Sequence, residues 1–138
     1  MALTHTEKQE FLAQPHVAAL SVSLAGRGPL TVPIWYAYTP GEQPWITTLP
    51  SSQKMAAINA AGRFSLMVDT VVPQVKYVSV EGVVADVAPS TDAQIEEVAA
   101  RYLGGDALAS YLSFAHDQLG EHVTVWMEPT HWLGALIG

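Results

Sequence analysis

The stretch Trp45-Ile46-Thr47-Thr48-Leu49-Pro50-Ser51-Ser52-Gln53-Lys54 contains the switch from strand to helix on which the reading of the chain turns. Trp45 to Leu49 is rich in β-branched and aromatic residues and reads as a strand. Pro50-Ser51-Ser52 stops that strand and offers a hydroxyl N-cap. Gln53 to Ala61 then holds good helix formers and closes on Gly62. A helix N-terminus presents unpaired amides and a partial positive charge, and here two serine hydroxyls and Lys54 stand at the same place. Those are the parts of a phosphate seat. A Ser-capped helix with a solvated lysine is the plainer reading of the same residues.

Upstream, the pattern is that of antiparallel strands. Val17 to Leu24 reads as a strand, Ala25-Gly26-Arg27-Gly28 as a hairpin turn, and Leu30 to Tyr38 as the next strand. Pro33 has no amide hydrogen, which predicts an edge, a bulge or a break in the ladder facing a ligand. Thr39 to Pro44 is a second turn, so Trp45 to Leu49 is the third strand. Before all of these, Thr6-Glu7-Lys8-Gln9 fits a capping box for a short helix ending near Pro15, a lid or latch.

Downstream, Arg63 to Asp69 and Lys76 to Ala88 read as strands around a loop carrying Pro73. Thr91-Asp92-Ala93-Gln94 caps a helix with Ile95, Val98, Ala99, Tyr102 and Leu103 at helical spacing. A second helix follows Gly104-Gly105, with Leu108, Tyr111, Leu112 and Ala115 in one stripe, and ends at Gly120. Val123 to Met127 returns to a strand, and the apolar Trp132 to Ile137 suits a sheet edge. Six or seven antiparallel strands with few helices, and no repeat or linker, predict one mainly β (α+β) domain built as a small closed or split barrel.

Composition narrows the function. The 138 residues fit one domain, and with 49% apolar and only 14% charged residues a single copy leaves apolar surface for a second subunit to cover. The chain has no cysteine, which removes disulfides, thiolate metal sites and cysteine catalysis. Any redox chemistry needs a cofactor. The net charge of −7 opposes nucleic acid and anionic membranes as partners. Without a leader pattern or a long apolar run, the expected location is the cytoplasm.

Familiar catalytic patterns are missing. His5, His16, His116, His122 and His131 show no metal-ligand spacing, so no metal site is expected. There is no Gly-x-Ser-x-Gly elbow, P-loop or dinucleotide fingerprint, and Gly26-Arg27-Gly28 is explained by a hairpin. Glu81 on its strand is expected to pair with Arg63 or Lys76 rather than act as a base. No residue stands out as a catalytic acid.

Several segments, in order, resemble the pyridoxamine 5′-phosphate oxidase-like split-barrel superfamily, and within it the actinobacterial flavin/deazaflavin-dependent oxidoreductases. They are Phe11 to Leu20, Val32-Pro33-Ile34-Trp35-Tyr36, Ser52-Gln53-Lys54, Ala61 to Leu66, and Tyr77-Val78-Ser79-Val80-Glu81-Gly82. The resemblance implies a homodimer that holds coenzyme F-420, or alternatively FMN, at its interface. It puts Pro33, Trp35 and Tyr36 beside the ring system, and Thr47, Thr48, Ser51, Ser52, Gln53 and Lys54 along the ribityl chain and phosphate. It sends Lys76 and Tyr77 toward the cofactor of the other subunit. Strand alternation puts Thr47 and Thr48 on opposite faces, so one of them is structural. Gln53 stands where the family has an arginine, which removes one charge from the phosphate seat. The implied activity is hydride transfer between reduced F-420 and a small planar or apolar acceptor. A non-catalytic protein that stores or shields a flavin, deazaflavin or heme is the alternative.

Overall fold

The computed structural model describes residues 1–137, apart from the side chains of residues 118 and 119. Seven strands form one antiparallel sheet: β1 (Ala18–Val22), β2 (Leu30–Ile34), β3 (Tyr36–Ala37), β4 (Trp45–Thr48), β5 (Arg63–Thr70), β6 (Val75–Pro89) and β7 (Val123–Ile137). Their order across the sheet is β2-β1-β5-β6-β7-β4-β3. The end strands β2 and β3 are consecutive in sequence and separated by Trp35 alone. One residue therefore ties the two edges of the sheet together, which curls it into a barrel split along that seam. Pro33 does mark an edge strand, and the expected single strand from Leu30 to Tyr38 is broken at Trp35 because its halves pair with different neighbours.

The barrel interior is filled by alternate residues of each strand. Leu20, Val22, Leu66, Val68, Val78, Val80, Val125 and Met127 are all buried. The opposite face carries an uncharged row that crosses five strands in register, Pro33–Ala19–Met67–Ser79–Leu133. Met67 and Leu133 in that row are 38% and 61% exposed. Tyr77 projects from the same face one step further along, opposite Asp69 and Ala135.

β7 departs from the sequence reading. Val123–Met127 and Trp132–Ile137 are one continuous strand. Its first part lies between β6 and β4, whereas Trp132–Ile137 pairs with β6 and, on the other side, meets only the isolated Ala2–Ala135 bridge, so this half does lie at a sheet edge. The joining Pro129 is absorbed by a bulge: Glu81 faces His131 and Gly82 faces Pro129, so Thr130 is the extra residue. The Thr130 hydroxyl donates to the Glu81 carbonyl at 3.2 Å. A bulge is where a strand tolerates a missing amide hydrogen. Gly82 is required there, since a Cβ would lie 2.1 Å from the Glu128 carbonyl oxygen.

Four α-helices flank the barrel: α1 (His5–Ala13), α2 (Gln53–Ala61), α3 (Asp92–Ala100) and α4 (Gly105–Phe114), the last continuing into a π-helical turn, Ala115–Leu119. The α1 capping box uses Thr4 and Glu7 rather than Thr6 and Gln9. Gln9 is engaged elsewhere, its side-chain oxygen accepting from the Gly41 amide at 2.8 Å. The Ser52 and Gly62 caps of α2 and the Thr91/Gln94 capping box of α3 stand as read. Among the described residues, no helix is long and apolar enough to cross a membrane.

Candidate functional site

The seam of the split barrel opens into a cleft of about 350 Å³. Pro33, Ile34 and Trp35 form one wall at the β2–β3 junction. Thr47 and Thr48 reach it from β4, and Ser52 and Lys54 from the start of α2. Ile95, Val98 and Ala99 of α3 and Tyr111 of α4 close the far side, with His122 at the end. Strand β4 thus delivers its last residues, and α2 its first, to the same end of the cleft.

That polar end is held by a short chain of hydroxyls. The Ser52 Oγ accepts from the Met55 amide at 3.1 Å, which caps α2, and lies 3.0 Å from the Thr48 Oγ1. Thr48 is buried while Thr47 is half-buried. The strand alternation expected from sequence holds, with Thr48 the threonine tied into the cap and Thr47 on the other face of β4. Lys54 is the cation on these walls. With the first amides of α2 lacking intrahelical partners, this corner can accept an anion.

The other end is aromatic. Trp35 stacks on Tyr102 and lies 5.2 Å from Tyr111, centroid to centroid. Burial raises the Tyr111 phenol above its ordinary pKa. The Tyr102 hydroxyl donates to the His16 carbonyl at 2.8 Å and accepts from the Tyr36 amide at 3.3 Å. Beside it Arg101 donates from both terminal nitrogens to the carbonyls of Ala13 and Gln14. The end of α3 is in this way pinned to the barrel seam and to the turn after α1.

Of the residues expected from sequence, Pro33, Trp35, Thr47, Thr48, Ser52 and Lys54 come together on the cleft walls. Tyr36 turns into the core, where its hydroxyl donates to the Leu12 carbonyl at 2.6 Å and burial raises its pKa steeply. Ser51 and Gln53 are exposed and lie off the walls. Lys76 and Tyr77 leave β6 by opposite faces, and the Lys76 ammonium sits 4.9 Å from the ring centroid of Phe11 in its own chain. Glu81 pairs with neither Arg63 nor Lys76. Its nearest ionisable partner is His131, at 3.9 Å, because the bulge sets those two side by side.

Sequence reasoning did not place Tyr111, His122 or the α3 residues at the site. The apolar stripe Ile95, Val98, Ala99 was visible, but a stripe does not say which surface it covers. Among the described residues, no three His, Asp or Glu side chains converge to hold a metal.

Known structures share this fold. One titled "F420 Reductase" matches with a TM-score of 0.70 at 22% identity, over 90% of this chain and 94% of that one. The FAD binding protein from Mycobacterium smegmatis matches at 0.65 and 18%, over the whole of both chains. A FAD-binding protein from Mesorhizobium loti matches at 0.65 and 19%, over 100% and 98%. No curated protein matches by sequence. The family model described as pyridoxamine 5′-phosphate oxidase matches residues 4–134, nearly the whole length, and the chain belongs to that family.

Proposed function

We propose that the chain is an oxidoreductase that binds a flavin or deazaflavin in the seam cleft and serves hydride transfer between reduced coenzyme F-420 and a small planar or apolar acceptor. The observation that carries this reading is the polarity of the cleft, with an ammonium, hydroxyls and a helix N-terminus at one end and aromatic rings at the other. That order suits a ligand with a phosphate at one end and a planar ring at the other. The cofactor supplies the hydride chemistry. The chain's own residues do the rest. Lys54 and Ser52 hold the anion, Trp35 and Tyr111 wall the ring, and the α3 residues Ile95, Val98 and Ala99 keep water from that side.

The same reading assigns the uncharged row Pro33–Ala19–Met67–Ser79–Leu133 to a second copy of the chain. Pro33 belongs both to this row and to the cleft wall, so a copy seated there comes to the mouth of the cleft. Tyr77, on that face, is positioned to take part.

FMN is the alternative cofactor. A binding protein without turnover is favoured by one observation, that Gln53 is neutral and off the cleft, leaving Lys54 alone to neutralise a phosphate. The deciding experiment titrates the purified protein separately with F-420, FMN and heme, and follows oxidation of the reduced form of whichever binds. F-420 binding with turnover supports the reading. Binding of heme alone, or tight binding with no turnover over a broad set of acceptors, overturns it.

A further inference from the structure

A second cleft, of about 490 Å³, lies beside the first and shares two of its wall residues, Ile95 and His122. Its volume is within the usual range for small-molecule sites. The floor is apolar, made by Ile95 of α3, Leu112 of α4 and Ala115. The rim is acidic: Asp92 and Glu96 stand one turn apart on α3, and Glu121 comes from the approach to β7. No lysine or arginine lines it among the described residues. The two adjoining clefts are therefore of opposite character, the first with Lys54 on its walls and the second with three carboxylates.

His122, on the shared wall, adds a hydrogen-bonding feature. Its Nδ1 lies 3.1 Å from the Gly120 carbonyl oxygen. A carbonyl only accepts, so in the neutral ring Nδ1 carries the hydrogen and Nε2 is left as an acceptor. The second cleft thus offers an apolar floor, carboxylate acceptors and two imidazoles, those of His116 and His122. Asp117 hydrogen-bonds the His116 imidazole at 2.9 Å and raises its pKa, so that ring already has a carboxylate partner of its own.

We propose that this second cleft is the substrate seat, and that it selects small molecules with an apolar or aromatic body and a cationic nitrogen head, such as an amine or amidinium. Its role as a substrate seat rests on the reading of the first cleft as the cofactor site, whereas its preference for cations rests only on its own lining. An apolar body covers Ile95 and Leu112, the N–H groups of the head meet Glu96, Glu121 and His122, and the shared wall sets the ligand against whatever occupies the first cleft. Anionic ligands are disfavoured by the same carboxylates, so the two clefts do not compete for one molecule.

The test uses the full-length protein and two probes of the same size and shape but opposite charge, benzamidine and benzoate. The imidazole NMR signal of His116 reports on the second cleft directly, without turnover, and that of His122 on the wall the two clefts share. Benzamidine is expected to shift both signals and to bind about tenfold more tightly than benzoate at low salt, a preference that shrinks at high salt because exposed charges are weak and screened. The double variant Glu96→Gln, Glu121→Gln should bring the two affinities close together. Equal or tighter binding of benzoate, or no shift with either probe at millimolar concentration, overturns the proposal. Adding F-420 or FMN separates the two readings. A shift by benzamidine with no cofactor binding sinks the cofactor reading and leaves the cation site standing. Cofactor binding without a benzamidine shift sinks this proposal alone.

Discussion

The indole of Trp35 lies against the ring of Tyr102 with centroids 4.8 Å apart and planes inclined by 17°. Trp35 is the residue that joins the two edges of the sheet, and Tyr102 follows α3, so this stack fixes the helical wall of the cleft to its seam.

Removing only the hydroxyl, in Tyr102→Phe, leaves the stack but strips the His16 carbonyl of its donor. A cost of about 0.5–1.5 kcal/mol in urea unfolding is expected from losing a hydrogen bond at this half-buried site. Tyr102→Ala loses the ring as well and should cost more, and Trp35 fluorescence should change in this variant but not in Tyr102→Phe. Equal spectra in the two variants would show that Tyr102 does not position Trp35.

Lys54 bears the positive charge of the first cleft, and a hydrogen bond to a charged group contributes about 1.5–3 kcal/mol. Lys54→Ala should raise the dissociation constant for F-420 or FMN by about tenfold to a hundredfold. The unfolding midpoint of the protein without cofactor should hardly move. Gln53→Arg, placed off the cleft walls, should gain less than Lys54→Ala loses. Isothermal titration of both variants measures this, and unchanged affinity in Lys54→Ala would reduce the corner to a helix cap.

His16 sets an acid limit on stability. Burial lowers the pKa of its imidazole, partly offset by the hydrogen bond to the Phe11 carbonyl. A histidine whose folded pKa lies below its unfolded value binds fewer protons folded than unfolded. Its contribution is therefore complete above about pH 6.5, the unfolded value, and is lost as pH falls through the lower folded value. His16→Gln should flatten the fall in melting temperature between about pH 7 and pH 5. A parallel fall in the variant would place the acid sensitivity elsewhere.

The exposed row on the sheet predicts assembly. Leu133→Lys, at the end of the uncharged row, should convert a dimer to a monomer in sedimentation while circular dichroism stays unchanged, because Leu133 is largely exposed in the single chain. A native protein that sediments as a monomer at micromolar concentration would overturn the assignment of this face.

At Gly82 even one methyl group is too much. The β6–β7 bulge leaves no space, and Gly82→Ala should destabilise by about 3 kcal/mol or more because the obstacle is backbone. Gly134→Ala meets its nearest neighbours only at 3.1 to 3.2 Å and should be milder. Chemical denaturation of the pair checks the order.

Local chemistry was legible where one signal stood alone. Ser52 and Gly62 bracket α2 as read, since a hydroxyl cap and a left-handed glycine act within their own turn. At the N-terminus two signals competed: Thr4 with Glu7 and Thr6 with Gln9 both fit a capping box, and tertiary contact of Gln9 with Gly41 goes with the first. The strand from Val123 reads as ending at Met127, because the bulge that carries it past Pro129 depends on Gly82, far away in sequence. The polar end of the cleft was legible because β4 and α2 adjoin along the chain. Its far wall was not, because only the packing of α3 and α4 across the seam brings Ile95, Tyr111 and His122 there.

The end strands of the sheet are β2 and β3, and β2 borders the cleft with Pro33 and Ile34 where it meets β3 at Trp35. An unpaired edge is where a foreign strand can add. The place that receives the ligand is thus also where the protein is open to aggregation, and a bound ligand should guard against it. The unliganded protein, heated or stored at high concentration, should lose solubility through this seam before the liganded form does.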